Sequence, residues 1–406
     1  MQSTEQSAQR GFTRPLEGLK VIELGQLIAG PFAAKILGEF GADVIKVEPP
    51  GGDPLRKWRY VHEGTSVWWA AHARNKRSMT LDLRQPEGQD VVRSLVKEAD
   101  ILIENFRPGQ MEKWGLGYEA LSQINPGLIM LRVSGYGQTG PYRDRPGFGV
   151  IGEAMGGLRY LSGEPGRPPV RVGVSIGDTL SGLHGVIGTL MALRHREQQG
   201  GLGQEIDVAL YESVFNMMES LLPEYSKFGA VRQPSGASMP GIAPTNAYLC
   251  RDGKYALIAG NGDSIFRRLM TIIERTDLAE DPALADNQGR AGQADRLDDA
   301  ISQWTAQRDL DDVLDAMNQA GVPCGKSYDA ADIASDPHYR ARDMILKTEL
   351  PDGSAVEVPG IVPKLSRTPG EVRSLAPRLG EHTQEILDKL GIDLATQQDW
   401  QSRGII

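Results

Sequence analysis

The sequence predicts an α/β fold built on an open parallel sheet, and two observations carry that prediction. Residues 19–48 read as a compact strand–helix–strand unit, which implies parallel strands and a right-handed crossover. The same alternation of short apolar runs with runs of helical period then recurs through residue 134.

Residues 19–25 (LKVIELG) form the first buried strand, and residues 30–40 a helix with Pro31 near its first turn. Residues 43–48 (DVIKVE) form the second strand. Further strands are expected over 78–83, 100–105 and 128–134, with helices over 86–98 and near 118–124. Leu180, Leu183, Ile187, Leu190, Met191 and Leu193 recur at three- and four-residue spacing, so that helix should bury one face. A glycine-rich break (Gly200, Gly201, Gly203) precedes a strand at 204–209 and a long helix over 210–228. Residues 231–245 carry Pro, Gly and Ser at linker density and mark a boundary. Beyond it, a strand at 254–259 and acid-rich amphipathic helices to about residue 320 form a smaller α/β unit. A hairpin over 346–360 turns at Asp352-Gly353, and a polar helix lies near 381–390.

With 406 residues, 40% hydrophobic and 24% charged, the chain has the composition of an ordinary globular protein of two or three domains. A net charge of −9 argues against a nucleic-acid partner, although local basic clusters can still take a phosphorylated ligand. Two cysteines, Cys250 and Cys324, offer neither a disulfide framework nor a metal pattern, which fits a reducing compartment. The polar first dozen residues read as a frayed tail, not a signal peptide or anchor. The longest apolar stretch, Val186 to Leu193, is too short to cross a bilayer. No membrane association and a cytoplasmic location are the expectation.

Asp178 is the residue of greatest chemical interest. It stands in Val172-Gly-Val-Ser-Ile-Gly-Asp-Thr-Leu-Ser-Gly182, at the mouth of an apolar helix approached through glycines and prolines. Free N–H groups and the helix dipole favour its ionised form. An ionised, partly desolvated carboxylate on a fixed backbone is a competent nucleophile toward an activated acyl group. The alternative is a plain N-cap. Three basic segments should lie beside strand ends: Arg56-Lys57-Trp58-Arg59, Arg74-Asn75-Lys76-Arg77 and Asn105-Phe106-Arg107-Pro108-Gly109. Their cations suit phosphate, and Phe106 and Trp114 offer faces to a purine; solvated charges at loop ends are the other reading. Ser134–Pro141 is a glycine-rich loop where backbone could approach a ligand. The six histidines lack metal-ligand spacing, so no metal is expected. The first turn, Gly25-Gln-Leu-Ile-Ala-Gly30, lacks the dinucleotide fingerprint although the sheet is Rossmann-like, which counts against a nicotinamide dehydrogenase.

Together these segments resemble the class III coenzyme A transferases, the family of formyl-CoA transferase and carnitine CoA-transferase. The motifs are Pro15-Leu-Glu-Gly-Leu-Lys-Val, Ala29-Gly-Pro-Phe, Gly41-Ala-Asp-Val-Ile-Lys-Val-Glu48, Asn75-Lys-Arg-Ser, Glu104-Asn-Phe-Arg-Pro-Gly109, Gly135-Tyr-Gly-Gln-Thr-Gly-Pro141 and Gly177-Asp178. They stand in the family's order across nearly the whole chain. The resemblance implies a Rossmann-like large domain (1–230), a smaller inserted α/β domain (231–330), a return segment (331–406) completing the large domain, and an interlocked homodimer. It places the family's nucleophile on Asp178. By the same resemblance CoA contacts fall on Gln26, Leu27, Ala29, Asn75, Lys76, Arg77, Asn105, Phe106, Lys113 and Trp114, and a mobile glycine loop on about Gly236–Gly241. CoA and acyl-CoA then act as substrates, with no tightly bound cofactor. Succinyl-CoA is a frequent donor in the family. Arg145, Arg159 and Arg171 could hold the distal carboxylate of a dicarboxylic acid.

Three positions depart from the family pattern. Ile28 replaces a glutamine near the acyl group in formyl-CoA transferase. Pro49 replaces an arginine, for which Arg56 or Arg59 could substitute, and Phe148-Gly149 replaces an aromatic–acid pair. The related α-methylacyl-CoA racemases carry His-Asp at that last pair, so a racemase reading lacks one of its two proton carriers.

Overall fold

A computed structural model describes residues 14–406, which leaves the polar first dozen outside the described residues. The chain divides into two compact units. One takes the chain through Arg159, then Arg171–Phe228 and His338–Ile406; the other takes Tyr160–Val170 and Gly229–Pro337.

The first unit opens as the sequence predicts, with β1 (Lys20–Glu23), α1 (Ala29–Glu39) and a parallel β2 (Asp43–Glu48). A small hairpin, β3 (Val61–His62) and β4 (Thr65–Ser66), leads to α2 (Val67–His72) and β5 (Lys76–Thr80). Then come α3 (Pro86–Val96), β6 (Ile101–Glu104), α4 (Gln110–Lys113), α5 (Tyr118–Ile124) and β7 (Ile129–Ser134). Helices α6 (Gly149–Met155), α7 (Leu158–Leu161) and α8 (Ile176–Gln198) precede β8 (Glu205–Ala209), α9 (Leu210–Phe215) and α10 (Leu221–Phe228).

The six strands pair in parallel in the order β5-β2-β1-β6-β7-β8. From β1 the chain moves outward to β2 and β5, then returns to the other side of β1 to lay down β6. That reversal opens a crevice at the carboxyl ends of β1 and β6, the place where such sheets take ligands. Ile22, Leu24, Val47, Met79, Leu102 and Met130 fill one face of the sheet. Val21, Val44, Ile103 and Leu131 pack under α1 and α8 on the other.

Four elements differ from expectation. Helix α8 turns its small residues inward: Gly182, Gly185, Thr189 and Ala192 are buried, while Leu183, Ile187, Leu190 and Met191 are 41–68% exposed. Close packing explains the reversal. A Cβ on Gly182 would lie 2.9 Å from the Ala29 carbonyl oxygen, and one on Gly185 would lie 2.7 Å from the Leu131 side chain. At 23 residues α8 is also the one described helix long and apolar enough to cross a membrane, although here it lies along the sheet. The expected 210–228 helix is two helices, broken where Glu219 takes a φ of 50°. The strand expected over 78–83 begins at Lys76. A last helix, Leu394–Ser402, is mostly polar and gave no periodic signal, although Trp400 packs on the core; the Asp393 side chain caps it by accepting from the Thr396 N–H at 3.0 Å.

The second unit holds an antiparallel sheet of β9 (Thr245–Leu249), β10 (Tyr255–Ala259) and β11 (Cys324–Lys326). Phe266, Leu269, Leu297, Ile301, Trp304 and Val313, from helices over Asp263–Ile272, Ala294–Thr305 and Leu310–Gln319, build its core. In the first unit the expected hairpin pairs Ile345–Glu349 with Ala355–Pro359.

Gly182→Val should overpack the contact between α1 and α8. A loss of about 1–3 kcal/mol is expected in urea unfolding, read as a lower midpoint at unchanged slope.

Candidate active site

The crevice is floored by the turn between β1 and α1, which a buried set of charges holds in shape. The Lys46 ammonium bonds Glu23 Oε1 and the Gly25 carbonyl, both at 2.8 Å, and pairs with Asp53 Oδ2 at 2.9 Å. Asp53 accepts the Leu27 N–H on both carboxylate oxygens, at 3.1 and 3.2 Å. Leu27 itself has a φ of 64°, a left-handed conformation that this bond helps to sustain. Glu48 accepts the Asp53 N–H and binds Arg56 at 2.7 Å, and Lys76 Nζ pairs with Glu23 Oε2 at 2.7 Å. Three carboxylates thus face three cations in a nearly dry interior. Asn105 completes the turn from β6: its amide accepts the Gln26 N–H and donates to the Gln26 carbonyl, each at 2.8 Å.

Above this floor lies a cavity of about 410 Å³, of a size that suits a small-molecule site. Gln26, Leu27, Ile28 and Ala29 line it from the first turn, Asn105, Phe106, Arg107 and Pro108 from the end of β6, and Val133, Ser134 and Gly135 from the end of β7. Arg143, Arg145, Phe148 and Asp178 close it.

Asp178 is the third residue of α8, not its cap; Ser175 occupies the cap position and its side chain makes no capping bond. The half-buried carboxylate is pressed against the backbone at the start of α6. A Cβ built on Gly149 would lie 2.2 Å from Asp178 Oδ2, so this pose exists because residue 149 is glycine. Desolvation by burial, then repulsion from the Glu153 carboxylate, push the Asp178 pKa up to about 6, and Arg171 pulls it the other way. The sequence pointed to helix N–H groups and the dipole as what sets this residue's state, but burial and Glu153 work against them. Asp178 remains a carboxylate at neutral pH, and one more basic than an ordinary aspartate.

The structure divides the residues that the resemblance assigned to CoA. Gln26, Leu27, Ala29, Asn105 and Phe106 meet Asp178 around one cavity, which Arg145 also lines. Trp114 stands edge-on behind Phe106, ring centroids 5.2 Å apart, and Lys113 is exposed beside it at the end of α4. Asn105, however, spends its amide on Gln26. Asn75, Lys76 and Arg77 are corrections: they open β5 at its amino end and line a different cavity. Asn75 (φ 62°) holds the return segment by donating to the Glu371 carbonyl and accepting from the Arg373 and Ser374 N–H groups. Lys76 is buried against Glu23 and the Pro31 carbonyl, and Arg77 pairs with Asp43. None of the three has a donor directed to the Asp178 cavity. Arg56 is likewise committed, to Glu48 and the face of Trp69, whereas Arg59 rests on Trp68.

Of the three arginines suggested for a distal carboxylate, Arg145 lines the cavity with its guanidinium 3.5 Å from the Tyr142 ring centre. Arg159 is taken by Glu153, Nε to Oε2 at 2.9 Å, while Arg171 stays half exposed. Sequence reasoning did not single out Glu153, which is fully buried in α6. A lone acid in the otherwise apolar and glycine-rich run 149–157 was the available signal. Phe148-Gly149 brings no proton-carrying side chain to the cavity. Tyr136 packs on Tyr142 and Tyr211. Among the described residues no cluster of His, Cys, Asp or Glu is grouped as a metal would require. The loop Gly236–Gly241 belongs to the second unit.

Comparison with known proteins identifies the family. A family profile described as CoA-transferase family III matches residues 16–383. The chain is 49% identical over 391 residues to succinyl-CoA–D-citramalate CoA-transferase of Chloroflexus aurantiacus, covering 95% of this chain and 97% of that one. It is 45% identical over 383 residues to the succinyl-CoA–L-malate CoA-transferase beta subunit of the same organism, covering 93% and 94%. The crystal structure of a CAIB/BAIF family protein from Brucella suis superposes with a TM-score of 0.81 at 38% identity, over 93% of this chain and 99% of that one.

Two outcomes follow from the geometry. Gly149→Ala should displace the Asp178 carboxylate and lower kcat/KM about a hundredfold, measured by steady-state CoA exchange. A nucleophilic role for Asp178 would use its carboxylate form, so kcat/KM should then hold above pH 6 and fall through a single acid limb centred near 6 in a pH series.

Proposed function

The chain belongs to CoA-transferase family III, and from that membership we propose that it carries CoA from succinyl-CoA to a dicarboxylic acid by way of Asp178. The carrying observation is the Asp178 carboxylate itself, half-buried at the first turn of α8 and open to a cavity at the sheet's switch point.

The chemistry runs through two acyl exchanges. An Asp178 oxygen attacks the thioester carbonyl, the carbon–sulfur bond breaks, and a mixed anhydride and the CoA thiolate result. The thiolate attacks the aspartyl carbonyl, giving an aspartyl-CoA thioester and the free donor acid. The acceptor carboxylate then attacks that thioester, and the same steps in reverse deliver the new acyl-CoA. Splitting one hard exchange into several acyl transfers is what covalent catalysis achieves. Each tetrahedral oxyanion needs donors, and backbone N–H groups around the cavity would supply them.

The dicarboxylate assignment draws on two supports. The relatives named for citramalate and malate accept such acids, and Arg145 and Arg171 offer guanidinium groups at and beside the cavity. CoA would enter along Gln26, Leu27 and Ala29, with Phe106 backed by Trp114 against the purine and Arg107, Arg143 and Lys113 toward its phosphates.

A homodimer belongs to the same proposal. Leu183, Ile187, Leu190 and Met191 on α8 are large apolar side chains left exposed, as are Phe215, Leu222 and Phe228 further along the chain, and covering them is what a second copy would do. The second unit would be the family's inserted small domain and the loop Gly236–Gly241 its glycine loop, in an interlocked cytoplasmic dimer.

A mass-spectrometric screen of succinyl-CoA against free acids should show CoA passing to malate- or citramalate-like dicarboxylates in preference to monocarboxylates. Asp178→Ala should lose exchange by several orders of magnitude while the protein still binds CoA; undiminished exchange would remove Asp178 from the mechanism.

A further inference from the structure

Helix α6 carries a second acid that the nucleophile assignment leaves unused. Glu153 lies one helical turn beyond Gly149, on the face that admits the Asp178 carboxylate. Its side chain is fully buried; a Cβ on Gly177 of α8 would stand 3.5 Å from its Cγ. Oε2 accepts from Arg159 Nε at 2.9 Å. Oε1 has no hydrogen-bond partner among the described residues, with Arg171 Nη2 at 3.8 Å, near enough to pair as an ion but too far to bond. Burying a carboxylate and leaving half of it unbonded is costly, and an apolar residue would fill the space without that cost. The arrangement calls for a reason beyond packing.

We propose that Glu153 is a positioning residue for CoA transfer: it holds Arg159 and Arg171 beside Asp178, so that the site turns cationic when Asp178 is acylated and retains the free carboxylate for the return attack. This rests on Asp178 being the nucleophile. In the resting enzyme the charges of Glu153 and Asp178 offset those of Arg159 and Arg171, so this group of four adds no net attraction for a free acid. Attack by Asp178 forms the anhydride and expels the CoA thiolate. Attack by that thiolate on the aspartyl carbonyl breaks the anhydride C–O bond and releases the donor carboxylate. Asp178 is now an uncharged thioester, and the two arginines exceed Glu153 by one positive charge. The free carboxylate restores the balance, and one acid exchanges for another while that excess lasts. The other charged groups that line the cavity with Asp178 are Arg107, Arg143 and Arg145, from the loops after β6 and β7; Arg143 pairs with Asp144 at 3.5 Å.

Two substitutions in the full-length enzyme test this by opposite signs. Glu153→Gln removes a repelling charge, so the acid limb of kcat/KM should move to lower pH by roughly one unit. Succinate, added as free acid, should become a competitive inhibitor against succinyl-CoA with an inhibition constant roughly tenfold below the wild type's. Arg171→Gln, at a half-exposed position, should move the limb to higher pH and raise KM for the acceptor acid. Limbs that stay put, or move together, overturn the proposal. Quenching turnover with hydroxylamine separates it from its premise. A hydroxamate on Asp178 with unmoved limbs overturns the role of Glu153 alone, whereas turnover without that hydroxamate overturns the nucleophile as well.

Discussion

The Lys46 ammonium, buried among Glu23, Asp53 and the Gly25 carbonyl, is the contact on which the site depends. It ties the end of β1, the first turn and the segment after β2 to one point where no water can substitute. A buried ion cluster of this kind is a poor source of net stability, because desolvation consumes most of the Coulomb gain. What it supplies is uniqueness. With Asp53 gripping the Leu27 N–H in a left-handed conformation, the turn has one shape, and Gln26, Ile28 and Ala29 present one surface to the cavity. The buried lysines also explain why an acidic protein carries basic motifs beside its first strands: much of that charge is structural.

A second constraint, steric this time, sets the Asp178 carboxylate. Glycine recurs wherever α8 meets its neighbours: Gly182 against α1, Gly185 against β7, and Gly177 and Gly149 where α8 and α6 touch. Each removes a side chain so that two backbones can approach. At Gly149 the space released is filled by the Asp178 carboxylate, which is thereby fixed and partly desolvated. Burial and the neighbouring Glu153 raise its basicity, and the helix terminus and Arg171 keep it an anion at neutral pH. A fixed, basic, partly dry carboxylate is what acyl transfer from a thioester asks of its nucleophile.

Much of this was legible in the sequence. The β1–α1–β2 unit, β7 and the hairpin near Gly353 follow from local periodicity and turn chemistry, and Asp178 stood out through its glycine setting. What could not be read were matters of partnership. Lys76 and Arg77 look like ligand cations until Glu23 and Asp43 are seen beside them, and those pairs come from register between strands far apart in sequence. The inward face of α8 was misjudged because large apolar residues mark a buried stripe only when the helix packs at ordinary distance. Here close approach selects glycine, and the leucines turn outward. Glu153 escaped notice since a single acid in a short helix has no period.

The central claim is that one oxygen of Asp178 exchanges with the substrate acid at every turnover. If the acceptor is supplied with both carboxylate oxygens as oxygen-18, the bridging oxygen of the anhydride comes from the acid and stays on the aspartate when CoA departs. Peptide mass spectrometry after a single turnover should find the Asp178 peptide heavier by about 2 Da, the mass of one such oxygen left by covalent catalysis at that side chain, rising toward twice that as turnovers accumulate. Full conversion to labelled acyl-CoA with that peptide at its original mass would contradict the account.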